Sequence, residues 1–180
     1  MAWGAGPHAD GVHHLEDGFL RSKGLGAQLV PPLSLVLDRK GIYFDPSRPS
    51  DLETLIANSL TLSAQERQRA ADLQTKLISS GISKYNPRPS AALSLPPGRR
   101  ILVPGQVEDD ASIRLGTRDI RTNLALLRCT RAQNPDAVVI YKPHPDVEAG
   151  LRPGALSQAT EYCDRIAANH DPISLINQVD

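Results

Sequence analysis

The spacing of apolar and polar positions changes character along this chain. In the first half, Leu33-Ser-Leu-Val-Leu37, the turn-forming Asp38-Arg-Lys-Gly41 and Ile42-Tyr-Phe44 predict a β-hairpin. The stretches 1–14 and 15–26 are rich in glycine, lack a clear period and read as loop, a kind of segment that often lines sites. Ser50 with Glu53 and Ser63 with Glu66 have capping-box spacing. They predict a short helix entered at Pro49 and a longer one running to about Ser80, where Gly81 stops it.

Between the halves, Pro87, Pro89, Pro96, Pro97 and Gly98 are incompatible with a helix or a central strand. Residues 87–99 are therefore expected to link an N-terminal lobe, 1–86, to a C-terminal lobe, 100–180. Beyond the linker, strands are expected at 100–103 and 137–141, and helices at 119–131 and 155–169. Continuous apolar strands separated by helices indicate an α/β fold with a parallel sheet covered on both faces. Ligands of such sheets sit outside the carboxyl ends of the strands, so the loops 104–112 and 142–146 fall on one edge. Residues 173–180 read as a helical turn leading towards a further strand, and the lobes are expected to be incomplete at both ends.

Composition narrows the function classes. The chain has 180 residues, 40% of them hydrophobic, enough to bury a core. Twenty basic residues balance twenty acidic ones, so no overall field recruits nucleic acid or an anionic membrane, and any anion site must be built locally. With 4% aromatic residues, base-stacking platforms and aromatic-lined carbohydrate modules are disfavoured. Cys129 and Cys163 lack metal-ligand spacing and read as thiols in a reducing compartment. No apolar run approaches the roughly 20 residues needed to cross a bilayer. The expected location is the cytoplasm, peripheral to the inner membrane.

Three segments could carry chemistry. Lys142-Pro-His-Pro145 sets a cation and an imidazole just past a buried strand, with two prolines fixing the turn. This suits a nucleotide phosphate whose developing charge must be neutralised without a metal, although a rigid turn with a hydrogen-bonded His144 is the structural alternative. Gln106-Val-Glu-Asp-Asp-Ala-Ser112 places three acids and a hydroxyl in a strand-to-helix loop. A carboxylate there could act as nucleophile or base, or Asp110 and Ser112 could simply cap a helix. Glu16-Asp17 with Arg21 and Lys23 offers a second acidic centre beside cations, or a surface turn. His8, His13 and His14 lack a third partner at metal-site spacing, and Lys84-Tyr-Asn86 could meet an acceptor or only end a helix.

Taken in order, Glu16-Asp-Gly-Phe-Leu-Arg-Ser22 with Gly24-Leu-Gly26, Pro32-Leu-Ser-Leu-Val36, Gly41-Ile-Tyr43, Ile82-Ser-Lys-Tyr-Asn86, Val103-Pro-Gly-Gln-Val-Glu-Asp-Asp-Ala-Ser112 and Tyr141-Lys-Pro-His-Pro-Asp-Val147 resemble the KpsC/LipB capsule polysaccharide biosynthesis and export family. The resemblance implies two Rossmann-like lobes of a GT-B-type glycosyltransferase. It also implies a retaining transfer of Kdo, an acidic ketose, from CMP-Kdo to a lipid-linked Kdo acceptor on phosphatidylglycerol, with no cofactor and no metal. The family's Gln-x-x-x-Asp-x-Ser signature falls on Gln106, Asp110 and Ser112, with Asp110 as nucleophile. Its His-Pro signature falls on His144 and Pro145, beside Lys142, and is associated with the CMP phosphate. Chemistry then suggests Glu16 as the group assisting the acceptor hydroxyl, and Arg21 or Arg114 as partner of the Kdo carboxylate. A downstream Thr-Ser-Leu segment of the family is absent. The alternative expectation is a catalytically inactive interaction module of a capsule assembly or export complex.

Overall fold

Three short strands build the sheet of the first unit in the computed structural model, which describes residues 1–6 and 11–180. The chain divides into two compact units, 1–86 and 87–180, giving an α/β fold with a sheet in each. In the first, β1 (Ala2–Trp3) runs parallel to β2 (His14–Asp17), and β2 runs antiparallel to β3 (Leu35–Asp38). Glu16 stands opposite Val36 and Leu15 opposite Leu37.

This pairing corrects two expectations. The segment 14–17 is a strand rather than loop, and β3 pairs with it instead of folding back on 42–44. Asp38 supplies the physical reason. Its buried carboxylate accepts the N–H groups of Lys40 (2.9 Å) and Gly41 (3.0 Å) through Oδ1, and that of Asp51 (3.0 Å) through Oδ2. The chain is thereby turned from the end of β3 towards the next helix, and Ile42 is buried in a turn. The glycines near β2 gave a local loop signal, but its partners come from distant segments, which local patterning does not reveal.

The helix starts appear as expected. Helix α1 (Asp51–Asn58) and helix α2 (Ala64–Ser79) each carry a reciprocal capping box, Ser50 with Glu53 and Ser63 with Glu66. Neither helix buries a residue, so capping and local pairs such as Gln68 with Asp72 carry much of their definition. Each such cap contributes about 1 kcal/mol.

The second unit holds three parallel strands, β4 (Arg100–Pro104), β5 (Val138–Lys142) and β6 (Arg165–Ile166), with β5 in the centre. All five residues of β5 are buried. Val139 and Tyr141 join Val103, Leu127, Ala159 and Cys163 in one core cluster, while Val138 and Ile140 join Ala167 and Leu175 in another. That odd–even division is the strand period expressed in packing. Helix α4 (Asn123–Gln133) supplies Leu127 to the first cluster and helix α6 (Pro172–Ile176) supplies Leu175 to the second, so both faces are covered as expected.

The expected helix at 155–169 is not formed. A single helical turn at Ala159–Glu161 leads instead into β6. Asp164 explains the difference, since its N–H donates to Val139 O (2.8 Å) while its Oδ2 accepts Val139 N (2.7 Å). The open edge of β5 captures the segment against its helical preference. The Pro-rich segment has no regular structure, but it belongs to the second unit, and Leu93 and Leu95 pack against the core.

Asp171 fastens that segment to α6. Its carboxylate accepts the N–H and hydroxyl of Ser90 (2.7 and 2.9 Å) and the N–H of Ser174 (2.8 Å), together with the Ser174 hydroxyl. Burial would raise its pKa, but these hydrogen bonds outweigh it and hold the carboxyl well below the usual carboxylate range. A depressed folded-state pKa contributes stability that is complete above about pH 4 and is lost progressively at lower pH. Urea unfolding should therefore show Asp171→Asn less stable than the parent protein at pH 7, with the gap narrowing steadily as the pH falls below about 4. A gap independent of pH would contradict this account.

Candidate functional site

Parallel pairing sets the frame of the site. Pro104 lies opposite Lys142 at the carboxyl ends of β4 and β5, and Gly105 N–H continues the ladder to Lys142 O (2.7 Å). The loops carrying the two motifs thus leave neighbouring strand ends. Gly105 is required by proximity, because a Cβ there would come within 2.6 Å of the Tyr141 hydroxyl. Tyr141 is buried, and burial followed by the nearby Glu108 pushes its phenol up to about 12, so it stays protonated beneath the loop.

The first loop is held by a residue that sequence reasoning did not single out. Asn123, buried at the start of α4, accepts Gln106 N–H through Oδ1 (2.8 Å) and donates Nδ2–H to Gln106 O (2.8 Å). Its own N–H donates to Glu108 Oε1 (2.7 Å), so loop and helix fix each other. Of the three consecutive acids, Glu108 has this anchoring role, while Asp109 is exposed and pairs with Arg152 (2.8 Å). Asp110 is the N-cap of helix α3 (Ala111–Gly116), its Oδ1 accepting both the N–H (2.9 Å) and the hydroxyl (2.7 Å) of Ser112. The Gln106 side chain and Arg114 are exposed. Asn123 had no local signal, since one polar residue at the start of an amphipathic helix is ordinary.

In the second loop, the Lys142 ammonium is buried and donates to Glu148 Oε2 (2.6 Å) and Pro143 O (2.8 Å). Glu148 in turn accepts Asn169 N–H through Oε1 (2.8 Å), which ties the segment after β6 to the same corner. His144 caps helix α5 (Pro145–Glu148), and Pro145 takes the first helical position. Because Asp146 N–H donates to His144 Nδ1 (3.1 Å), the neutral ring carries its proton on Nε2. Asp146 is buried, and its Oδ1 has no hydrogen-bond partner.

Glu16 and Arg21 belong to the first unit; the other candidates belong to the second. Glu16 lies in β2, and its Oε1 accepts Asp17 N–H (2.8 Å). Arg21 is buried and engages the Asp17 carboxylate, Ser22 Oγ (3.0 Å) and Val30 O (2.7 Å), which makes it the tie of the 21–30 loop. The 84–86 segment closes that loop, with Lys84 O accepting from Arg21 N and Asn86 Nδ2 donating to Ser22 O (2.9 Å). His8 lies outside the described residues. His14 Nδ1 is hydrogen-bonded to Gly4 O (2.8 Å), and no group of three or more metal-ligating side chains occurs among the described residues. Cys129 and Cys163 are free thiols, and burial pushes the Cys163 thiol up.

The Asn123 clamp makes a measurable prediction. Asn123→Ala leaves the Gln106 N–H and C=O without their partner, which should cost about 2–3 kcal/mol in urea unfolding. It should also speed amide exchange across 105–110. Asn123→Asp, which keeps one acceptor, should fall between the parent and the alanine variant; unchanged exchange in both variants would remove the clamp's importance.

Comparison with known proteins places this geometry. The family model described as "Capsule polysaccharide biosynthesis protein" matches residues 5–85 and 90–180. The chain is 46% identical over 193 aligned positions to the capsule polysaccharide modification protein LipA of Neisseria meningitidis, covering 100% of this chain and 27% of LipA. It is 48% identical over 172 positions to the lipopolysaccharide-processing protein LpsZ of Rhizobium meliloti, covering 92% of this chain and 39% of LpsZ. Among solved structures, the β-Kdo 2,4 transferase of Thermosulfurimonas dismutans KpsC superposes with a TM-score of 0.80 at 34% identity, over 93% of this chain and 53% of that one. The β-Kdo 2,7 transferase of the same KpsC gives 0.74 at 34% identity, over 99% and 55%. The chain thus spans about a quarter to two-fifths of those curated relatives and about half of those structures.

Proposed function

This chain belongs to the capsule polysaccharide biosynthesis protein family, and we propose that it carries part of a CMP-Kdo-dependent β-Kdo transferase, its two units being Rossmann-like lobes of a GT-B-type enzyme. A role in capsule polysaccharide biosynthesis follows from the family relationship. The observation that carries the finer reading is the emergence of the Gln106–Ser112 and Lys142–Pro145 motifs from adjacent parallel-strand ends, joined through Pro104 and Lys142. Such an edge is where ligands of parallel sheets bind.

In this reading Asp110 attacks the anomeric carbon of the sugar as its bond to the phosphate oxygen breaks, and CMP leaves. The resulting glycosyl ester is then attacked by an acceptor hydroxyl, whose proton leaves to solvent as the ester bond breaks and Asp110 is freed with net retention. The hydrogen bonds from Ser112 suit Asp110 to this task because they orient its carboxylate. His144, with its proton on Nε2, donates towards the departing phosphate. Lys142 is neutralised by Glu148 and acts mainly by fixing the loop. The acceptor is a Kdo-primed phosphatidylglycerol, which sets the reaction in the cytoplasm at the membrane surface. No described helix is long and apolar enough to cross a membrane.

Asp110 also caps a helix, so the test must separate chemistry from folding. Asparagine is a good N-cap, and Asp110→Asn should stay within a few tenths of a kcal/mol of the parent in stability, roughly the spread among good caps. Its CMP release from CMP-Kdo should nevertheless fall by about a thousandfold or more. An Asp110→Asn protein that releases CMP at close to the parent rate, or a folded parent that releases none, would overturn the assignment.

A further inference from the structure

Arg152 connects the two motif loops at a point that neither motif contains. It follows α5, and its N–H donates to Asp146 O (3.2 Å), anchoring its backbone to the second loop. Its guanidinium donates through Nη2 to Asp109 Oδ1 (2.8 Å), on the first loop and next to Asp110. The hydrogen bond it donates to Asp109 is the main reason its pKa is raised, and the nearby Asp110 and Asp146 carboxylates add to the effect. Arg152 is thus a cation placed among three carboxylates.

Two features distinguish this pair from the other ion pairs near the site. Lys142 and Glu148 are 6% and 13% exposed in their side chains, a closed internal pair, whereas Arg152 and Asp109 are 36% and 57% exposed. Asp109 can therefore swing into water at little cost, since exposed pairs are weak. Arg152 remains fixed through its backbone. The other arginines considered for an acidic sugar are less suited: Arg21 is buried against Asp17, and Arg114 is exposed on α3 without an ion-pair partner among the described residues.

We propose that Arg152 is the specificity residue for the acidic sugar of the donor, its guanidinium exchanging Asp109 for the sugar carboxylate when the donor binds. This rests on the transferase reading above. The carboxylate of a ulosonic sugar is attached to the anomeric carbon, so its cation must lie beside the nucleophile, and Arg152 is tethered to the residue adjoining Asp110. A planar guanidinium offers two parallel donors to a carboxylate, which an ammonium does not. Asp109 acts as an internal stand-in for that carboxylate and competes with it. Arg152 in turn neutralises the acids around it, Asp109, Asp110 and Asp146.

The competition fixes opposite signs for two substitutions. Arg152→Gln should raise KM for CMP-Kdo by roughly tenfold or more, since a charge-assisted bidentate contact is lost. It should leave inhibition by free CMP, which lacks the sugar carboxylate, within about twofold of the parent. Asp109→Asn should lower KM for CMP-Kdo, because it removes the competitor while Arg152 stays. Arg152→Lys should fall between Gln and the parent. Should Arg152→Gln fail to fold, Asp109→Asn still decides the matter by the direction of its effect.

If Asp109→Asn weakens donor binding as Arg152→Gln does, or if Arg152→Gln weakens CMP and CMP-Kdo equally, the pair is only a structural tie and the proposal is overturned. A folded parent protein that neither turns over CMP-Kdo nor is inhibited by CMP fails the transferase reading itself. A parent active on CMP-Kdo, with both variants unchanged, fails this inference alone.

Discussion

The parallel pairing of β4 with β5 is the constraint on which the second unit depends. With Pro104 opposite Lys142, two loops that are far apart in sequence must leave the sheet side by side. The pairing is secured from both faces, because β5 is buried at every position and sends alternate side chains into two separate clusters. A one-residue slip would exchange those clusters and turn Tyr141 away from Gly105. The core and the site therefore share one register.

Around that frame, polar side chains set the loop positions. Asn123 holds Gln106 by its main chain, Glu108 holds Asn123, and Glu148 holds both Lys142 and Asn169. These contacts fix backbone, so the neighbouring side chains that would meet substrate need not also stabilise their loops. Asp110 is the exception. Its capping of α3 and its proposed attack on the sugar use the same carboxylate, and Ser112 serves both by orienting one oxygen. A site can combine the roles because the hydrogen bonds that cap the helix also orient the carboxylate that would attack.

The parts of this arrangement that were legible in sequence were those with local causes. The two capping boxes, the Gly81 stop and the strands 100–104 and 138–142 each follow from residues within a few positions of one another. The placement of both motifs on one edge followed from the strand–helix alternation alone. What could not be read was set by distant partners. Strand β2 is defined by β1 and β3, β6 by the open edge of β5, and the turn after β3 by Asp38 reaching Asp51. Asn123 and Arg152 escaped notice for the same reason, since each acquires its meaning from a loop 17 or 43 residues away.

The proposed function turns on one chemical event, displacement of CMP by Asp110 followed by transfer to an acceptor hydroxyl. The most direct test is the anomeric configuration of the product formed from CMP-Kdo and a Kdo-primed lipid acceptor, read by NMR of the new glycosidic linkage. Two displacements through Asp110 predict a β-Kdo linkage, with the donor's configuration retained. An α-linked product would contradict the account, because it requires a single inversion in which Asp110 forms no bond to the sugar.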